Sequence, residues 1–523
     1  MVGGARQAAS TLLGAPYVPT RSSVIASYLR VAAGRVCTEL DRRESERLLR
    51  AQPFIASAAI YVITESPGRV LLVVDVVDEP RTIAALGFRR GTVSAATLGS
   101  ENLSGRGLAL VASARRGFAY RDGFGVGFVK FGMFGRPDFL AAQAERRAVD
   151  GERLSVEVAE PFITELQRRA LQASASLESG YTGLVRPAGE QVSLFVRRTF
   201  YDVGWVTRVG RSGRRAVGLI GAAVLGEDVR TGKSLVILSD TGFVAGPSNP
   251  FAASYPAFAT TRVAAITGLR ALRYVTVRGF DALTAEQDMG IGVQFDVLAG
   301  PSVMSSGHRR DLFVAGDLYA GVGDARSFLV ARALAEARSD RSSQRWDGVV
   351  ASGRLAWYGK PASTRTQMAS VELSAMRELA FPMQLTFRDA DGGLPGFGNA
   401  TFAGGRRVVV RAEERWLVRP FGARADAAVG VFATGGKLWA GDVPYGRTTA
   451  VHASAGVSLL GTYPAGGKRT YRVDLAIPFN PERGGFRPEL RVSSTDRTRL
   501  LWLEPKDVAR ARTGAVPVSL MKW

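Results

Sequence analysis

The chain has 523 residues, and its 68 Lys or Arg against 47 Asp or Glu give a formal net charge of +21 at pH 7. A single cysteine, Cys37, excludes an internal disulfide. The only histidines, His308 and His452, lie far apart in sequence, which argues against a histidine-based metal site and a Ser-His-Asp triad. The longest apolar run, residues 216–226, is about half of the ~20 residues that a membrane-spanning helix needs.

The basic excess does not by itself point to nucleic acid. Most of the basic residues are arginines spaced singly along strand-like segments, without zinc-ligand spacing, an aromatic-rich RNA-binding motif or a lysine-rich tail. A lumen lined with arginine, or an outer face that meets lipid phosphates, explains the charge at least as well. We therefore expect no nucleic-acid partner, and no motif calls for a cofactor.

Residues 23–80 have the pattern of one small α+β unit. Residues 23–31 predict a strand, because they are rich in apolar and β-branched side chains. Thr38, followed three residues later by Asp41, resembles a capping box and predicts a helix that runs to about Arg50.

The second half of this unit predicts a turn at residues 53–54 into a second short helix, and then strands over 57–65 and 68–77. The predicted order is β-α-α-β-β. Residues 1–22 form a separate N-terminal segment and lack the pattern of a signal peptide, so we expect a mature form or a misassigned start.

From residue 81 onward, apolar and polar residues alternate in one short segment after another. In 469–479 the odd positions are apolar from Tyr471 to Phe479, and Arg472 and Asp474 lie between them. A strand that is apolar on one face and charged on the other separates two environments. The same period recurs in 107–116, 190–200, 290–299, 347–358 and 449–459.

This pattern predicts a mainly β protein: a closed antiparallel transmembrane β-barrel of about 16 strands over residues 81–494, with lipid outside and water inside. Residues 495–523 then form a C-terminal tail. A soluble propeller or sandwich is the alternative. However, no repeat of 40–50 residues is present, and a sandwich does not usually extend over so long a chain.

Two segments near the N-terminus resemble a known superfamily, the outer-membrane barrels that include BamA, TamA and the bacterial surface antigens. Residues 43–54 and the strand pair that ends at 77–80 resemble a POTRA domain, of which only one copy fits here. The segment Asn102-Leu-Ser-Gly105-Arg-Gly107 resembles the family's Asn-Leu-x-Gly-x-Gly turn, which follows the first barrel strand.

A third resemblance concerns a loop that, in this family, folds into the barrel and places an Arg-Gly-Phe/Tyr tip against the inner wall. The matching residues are Gly393, Leu394, Pro395, Gly396 and Phe397, with the wall partners Glu413, Arg415, Arg472 and Asp474. Pro395 stands where the family has its arginine, so the usual Arg–carboxylate anchor is not expected from that position.

Strand counting supports residues 393–397 as the tip. Five strands are expected after them, as a sixteen-stranded barrel requires: 406–418, 424–433, 449–459, 469–479 and 486–494. About 13 segments precede them instead of the expected 11, so two should be loops or continuations. Arg278, Gly279 and Phe280 spell the tip motif in full, but too many strands follow, and we interpret them as a different loop.

The resemblance implies a protein of the outer membrane of a diderm bacterium, with its POTRA-like unit in the periplasm. Such a protein inserts, folds or translocates other polypeptides without covalent chemistry, through a weak seam between strands 82–90 and 486–494. Its implied partners are outer-membrane lipids, client polypeptides and periplasmic or lipoprotein partners. An enzyme is not expected, since no Gly-x-Ser-x-Gly elbow is present. The alternative is a passive channel or secretion pore with a cationic lumen.

Overall fold

The computed structural model describes residues 18–89, 92–164, 166–186, 191–210, 216–239, 242–251, 253–306, 310–340, 345–399, 401–418, 424–479, 488–496 and 503–513. Among these residues, no helix is both long and apolar enough to cross a membrane. The described chain forms a small N-terminal module followed by one large antiparallel sheet.

The N-terminal module contains two helices, α1 (Ser22–Ala26) and α2 (Glu39–Arg50), and a hairpin of β1 (Ile55–Ser66) and β2 (Arg69–Asp78). The predicted cap of α2 is confirmed, because the Thr38 side chain accepts a hydrogen bond from the Asp41 amide at 3.1 Å. Both predicted strands of the hairpin are confirmed to within two residues.

Two predictions for this module are wrong. Residues 23–31 form helix α1 and the turns after it rather than a strand, and residues 51–54 form a turn rather than a second helix. Val24 and Tyr28 are four residues apart and both pack against Leu48 and Leu49 of α2. That spacing places them on one face of a helical turn, so packing outweighs the β propensity of the segment. The observed order is therefore α-α-β-β.

The large sheet is built from long antiparallel strands that follow the chain. Its strands are β3 (Thr82–Arg89), β4 (Thr92–Ser100), β5 (Leu108–Arg115), β6 (Gly123–Phe131), β7 (Phe139–Arg146), β8 (Glu152–Glu160), β9 (Arg169–Leu184), β10 (Val192–Val209), β11 (Val217–Ser239), β12 (Gly242–Ser248), β13 (Phe258–Arg278), β14 (Glu286–Ser306), β15 (Asp311–Gly323), β16 (Ser327–Asp340), β17 (Trp346–Ala362), β18 (Arg365–Arg377), β21 (Arg406–Val418), β22 (Asp426–Trp439), β23 (His452–Thr462), β24 (Arg469–Phe479) and β25 (Glu489–Asp496). Two short strands, β19 (Leu385–Thr386) and β20 (Ala403–Gly404), pair with each other inside a loop.

The strand order closes into a barrel in which β25 lies next to β3. Strand β12 pairs with β11, which also pairs directly with β13. Strand β12 therefore extends a hairpin at one end of the barrel and does not count as a separate strand of the barrel wall. The described residues therefore contribute 21 strands to the closed order, or 20 without β12.

The expected number of about 16 strands is wrong, and the error lies before the loop at residues 393–397. Fifteen strands precede that loop when β12 is left out, whereas the five that follow it agree with the prediction. Strand β7 shows why strands were missed. Ala141, Ala142 and Ala144 place small apolar side chains on both of its faces, which hides the alternation.

The predicted separation of faces is confirmed on the strands that showed it most clearly. In β24, Tyr471 and Leu475 lie on the outer face with more than 40% of their surface exposed, whereas Asp474 is buried on the inner face. In β14, Val293 and Phe295 face outward and Gln294 is buried. An apolar outer wall around a polar interior is the arrangement that suits lipid outside and polar groups inside.

Candidate functional site: the filled lumen and the junction of the terminal strands

The barrel has two ends, and the turns are named by them here. The proximal end is the end at which β3 begins and the module is attached, and the distal end is the opposite one. Because successive strands are antiparallel, the turn 101–107 lies at the proximal end and the loop 378–405 at the distal end.

The distal loop 378–405 folds into the barrel. Its side chains Leu385, Phe387, Leu394 and Phe397 are buried and pack with inward-facing residues of the wall. The wall contributes Val196, Val229, Phe258, Val350, Val409 and Leu438. Since these come from well-separated strands, the loop fills the distal half of the lumen with an apolar core.

The predicted tip lies within this inward loop, and a wall arginine holds it. Arg411 Nη2 donates to the carbonyl oxygens of Gly393 at 2.6 Å and Gly392 at 3.1 Å. Gly393 is packed so closely that a Cβ atom would lie 2.0 Å from the Phe387 oxygen. With Pro395 at the usual arginine position, the cation comes from the wall and the tip offers only backbone acceptors.

The four predicted wall partners form one cluster on the inner face. Arg472 donates to Glu413 at 2.9 Å and to Asp474 at 2.6 Å, and Arg415 donates to Glu413 at 2.5 Å. In the part of the chain that the structure describes, no hydrogen bond or ion pair joins these side chains to residues 393–397. The cluster is therefore satisfied within the wall and by a different loop.

That different loop is the proximal turn between β13 and β14, which contains the second tip motif. Phe280 is fully buried, with its ring centroid 5.8 Å from that of Tyr358. Arg415 donates to the Asp281 carbonyl at 2.8 Å, and Thr366 donates to the Gly279 carbonyl at 3.0 Å. The turn thus folds into the lumen from the proximal side. Arg278 does not enter with it, because this side chain is mostly exposed and pairs with Glu286 at 2.6 Å.

Residues 503–513, the described part of the C-terminal tail beyond β25, lie inside the barrel. Helix α3 (Lys506–Ala511) lies in the lumen, where Val508 and Ala511 join the same apolar core as the distal loop. Arg407 on β21 binds Asp507 with two hydrogen bonds of 2.6 and 3.0 Å, and both side chains are buried. Burial raises the pKa of the Asp507 carboxyl, and the Arg407 guanidinium opposes that shift.

Further polar contacts fix the tail on the other side of the lumen. Arg198 donates to the carbonyls of Arg510 and Arg512 at 2.7 and 2.8 Å. The Thr513 amide donates to Glu336 at 2.7 Å, and Arg338 donates to the Thr513 hydroxyl at 2.7 Å. Contacts to β10, β16 and β21 together show that residues 504–513 bridge the lumen.

The turn at residues 102–107 serves as the joint between barrel and module. Asn102 is fully buried, accepts from the Gly107 amide at 2.7 Å and donates to Thr20 at 2.7 Å. Thr20 in turn donates to Asp78 of β2. Gly105 has a φ of +67°, and a Cβ atom there would lie 2.2 Å from the Pro19 oxygen. The glycines therefore let the N-terminal segment lie directly against the turn.

The module extends across the proximal opening. On one side, Arg50 of α2 pairs with Asp288 at 2.7 Å. On another, the Lys468 amide donates to Glu79 at 2.5 Å, and the Lys468 ammonium donates to the Arg50 carbonyl. Asp288 lies at the proximal start of β14 and Lys468 in the turn before β24, so the two contacts are on widely separated strands. The module thus covers the proximal mouth, while the loop and the tail fill the lumen above it.

The terminal strands β3 and β25 meet where the two ends of the sheet close. Each has eight residues, whereas β10, β11 and β13 have 18 to 23. Leu490 and Val492 of β25 face outward and are highly exposed. From inside, the distal loop holds β25, because Gly398 donates its amide to Glu489 at 3.1 Å and Arg491 donates to Asp389 at 2.9 Å.

Comparisons with known proteins complete the description of the site. No protein-family model matches the chain. No curated protein matches it either. Among solved structures, BamA from Haemophilus ducreyi lacking POTRA domains 1–3 is 13% identical, with a TM-score of 0.40, 91% of this chain covered and 82% of that chain.

Two structures of CdiB are also similar to this chain. CdiB from Escherichia coli is 12% identical with a TM-score of 0.40, and 90% of this chain and 72% of that chain are covered. CdiB from Acinetobacter baumannii is 10% identical with a TM-score of 0.39, and 91% and 72% are covered. The alcaligin outer-membrane receptor FauA from Bordetella pertussis also matches, at 11% identity and a TM-score of 0.32, with 80% of this chain and 65% of that chain covered.

Proposed function

We propose that this protein is an outer-membrane barrel that inserts, folds or translocates other polypeptides, with its N-terminal module in the periplasm as a single POTRA-like unit. The observation that carries the proposal is the junction of β3 and β25. There the first and last strands of the sheet, each of eight residues and so no longer than β5 and β7, close a sheet whose longest strand has 23 residues. Strand edges of this kind are where an extended client segment pairs by adding a strand.

The interior supports this proposal better than a passive channel. An anion-selective pore needs an open lumen with unpaired positive charge. Several inward-facing arginines are paired with carboxylates, as in Arg262 with Asp311, Arg332 with Asp317 and Arg338 with Glu227. The loop and the tail occupy the space between them. A resting pore of high conductance does not fit that arrangement.

The mechanism follows from a chain of contacts that links the lumen to the junction. Arg510 of the tail approaches Asp391 of the distal loop at 3.5 Å, and Asp389 of the same loop binds Arg491 of β25. A client that displaces the tail or the loop also removes the inner support of β25. The junction then opens sideways into the membrane without any covalent step.

One experiment tests the role in the host. The protein is depleted, and outer-membrane and secreted proteins are quantified. Loss of several unrelated barrel proteins supports a general assembly role, and loss of one secreted protein supports dedicated translocation. An unchanged set of proteins rejects the proposal.

A second experiment tests the route. A variant with Cys37→Ser, Leu86→Cys and Leu490→Cys should form a disulfide across the junction, in this or a neighbouring register, and so lock it under oxidising conditions. It should fail to replace the native protein until a reductant is added. The matched control carries Cys37→Ser and Leu490→Cys alone and should function in both conditions. A locked variant with full function would exclude lateral opening.

Conductance separates the proposal from the channel alternative. In a planar bilayer, the purified protein should show low conductance with brief openings. Steady, strongly anion-selective current in the absence of a client would favour the cationic pore.

A further inference from the structure

A cavity of about 740 Å³ lies on the outside of the barrel at its proximal rim, away from the lumen. Its wall is formed by Arg30 of the module, Arg136, Glu160, the turn residues Leu166 to Arg168, Arg169, and Trp205 and Thr207 of β10. Among the described residues of this wall, four arginines therefore face Glu160. Arg136 forms an ion pair with it at 3.6 Å, and Arg30 is near enough to feel its charge. The size is in the range of cavities that bind small molecules.

Arg30 is the least satisfied side chain of this cavity. Its backbone amide is fixed to α2 through a 2.8 Å hydrogen bond to Ser45. Its Nε and Nη2 atoms are buried, and among the described residues neither has a hydrogen-bond partner. Burial lowers the pKa of the Arg30 guanidinium, and Arg47 and Arg136 act in the same direction against Glu160 and Glu44. Glu160 and Glu44 thus offset part of the charge, but the two buried N–H donors still have room for the oxygen atoms of a bound anion.

The opposite wall of the cavity is held in place by the β8–β9 turn. Gln167 donates its amide to the carbonyls of Pro161 and Arg169, at 3.0 and 2.9 Å. The Arg168 carbonyl accepts from the Arg208 amide at 2.9 Å. Arg168 and Arg169 are therefore presented from a fixed backbone, although their side chains are exposed.

The surface beyond the cavity is apolar. Trp205 and Leu171 point outward from β10 and β9, and about half of each side chain is exposed. A tryptophan next to arginines at one end of an apolar barrel wall is typical of a membrane–water interface. A ligand bound here has its anionic part among the arginines and room for an apolar part along the wall.

We infer that the cavity binds the phosphodiester headgroup of an anionic phospholipid of the periplasmic leaflet, with Arg30, Arg136, Arg168 and Arg169 around the phosphate and the acyl chains past Trp205. Guanidinium groups suit phosphate because their N–H donors match its oxygen atoms. Since Arg30 comes from the module and the others from the barrel, the bound lipid connects the two. The inference requires the barrel to sit in a membrane but does not require it to handle polypeptides.

Native mass spectrometry of the detergent-solubilised protein with phosphatidylglycerol tests this site. The double variant Arg30→Gln and Arg168→Gln should retain the lipid at least about tenfold less well than the native protein, because charge-assisted hydrogen bonds are lost. The control Arg43→Gln removes an exposed arginine of α2 outside the cavity and should behave as the native protein does. Equal retention by all three proteins would overturn the inference.

Two further arms identify the source of the phosphate and guard against misfolding. Inorganic phosphate that binds with the same arginine dependence, while phosphatidylglycerol is not retained, would replace the lipid by a soluble anion. The fluorescence of Trp205 is the part of the native emission that the Trp205→Phe variant loses. Phosphatidylglycerol with brominated acyl chains should quench this emission in the native protein, and it should not do so in the double variant. An unchanged thermal unfolding temperature of the double variant keeps that result interpretable.

Discussion

The buried pair of Arg407 and Asp507 is the best place to test whether the tail is a removable plug. Asp507→Ala leaves the Arg407 guanidinium buried without its carboxylate, although one bond to the Thr386 carbonyl remains. Removal of one partner of a buried ion pair costs about 3–5 kcal/mol. Since each 1.4 kcal/mol is a factor of ten, the undocked population of the tail should rise by about two to three and a half orders of magnitude.

Hydrogen exchange of the tail measures this change directly. The amides of Ala509 and Arg512 donate to Pro505 and Val508 inside the docked helix, and they exchange when the tail leaves the lumen. Their protection in Asp507→Ala should fall by roughly the factor given above, and openings in planar bilayers should become longer.

The controls separate the ion pair from helix propensity and from general damage. Lys506→Ala changes the neighbouring exposed residue on the same helix and should leave protection within about threefold. The double variant Arg407→Met with Asp507→Leu should restore most of the protection, since apolar side chains replace a buried pair at little cost. If Asp507→Ala lowers protection no more than Lys506→Ala does, the ion pair does not hold the tail.

Three other predictions concern the module, the junction and the proximal turn. Gly105→Ala should release the N-terminal segment, seen as faster proteolysis, and should destabilise the fold by more than Gly34→Ala, because both glycines have positive φ but only Gly105 abuts Pro19. Leu86→Cys with Leu490→Cys in a Cys37→Ser background should form a disulfide in that or a neighbouring register, since both side chains face outward. Arg415→Ala should free the turn 279–285, and hydrogen exchange there should increase while the tail stays protected.

Each of these three predictions has a control variant or an outcome that would contradict it. Equal proteolysis of the two alanine variants would remove the role of the Gly105 contact. Ala85 lies on the opposite face of β3 from Leu86, so Ala85→Cys should not crosslink with Leu490→Cys. A crosslink from Ala85 but not from Leu86 would reverse the assigned faces. Unchanged exchange in the turn 279–285 would show that its other contacts suffice.

Local periodicity explains which strands could be predicted. The predicted bounds of β21 and β24 agree with the structure to the residue. In β24, large apolar side chains occupy every second position from Tyr471 to Phe479. Strand β7 carries alanines on both faces, and residues 23–31 carry strand-forming side chains that packing turns into a helix. The periodicity of apolar residues shows only a local preference for strand or helix. A strand of small side chains does not distinguish its two faces, and packing against distant residues is not visible in the local sequence.

The site shows the same limit over longer distances. The position of residues 393–397 inside a distal loop follows from strand counting, but the identity of their anchor does not. Arg411 resembles any other inward-facing arginine of a strand, and only the folded loop reveals that it binds the tip. Asp507 and Arg407 are 100 residues apart, so no sequence pattern pairs them.

The contacts also imply that clearing the lumen and opening the junction are separable steps. The tail touches the loop through Arg510 with Asp391 and through Asp507 with the Thr386 amide. The loop touches β25 through Asp389 with Arg491 and through Gly398 with Glu489. Arg491→Ala removes one of the two contacts between the loop and β25 and none to the tail, so it should raise hydrogen exchange in β25 and leave the tail protected. Asp507→Ala removes the ion pair with Arg407 that holds the tail, so it should raise hydrogen exchange in the tail more than in β25. If Arg491→Ala instead raises hydrogen exchange of the tail as strongly as Asp507→Ala does, the tail and β25 open together. The lumen then cannot empty while the junction stays closed.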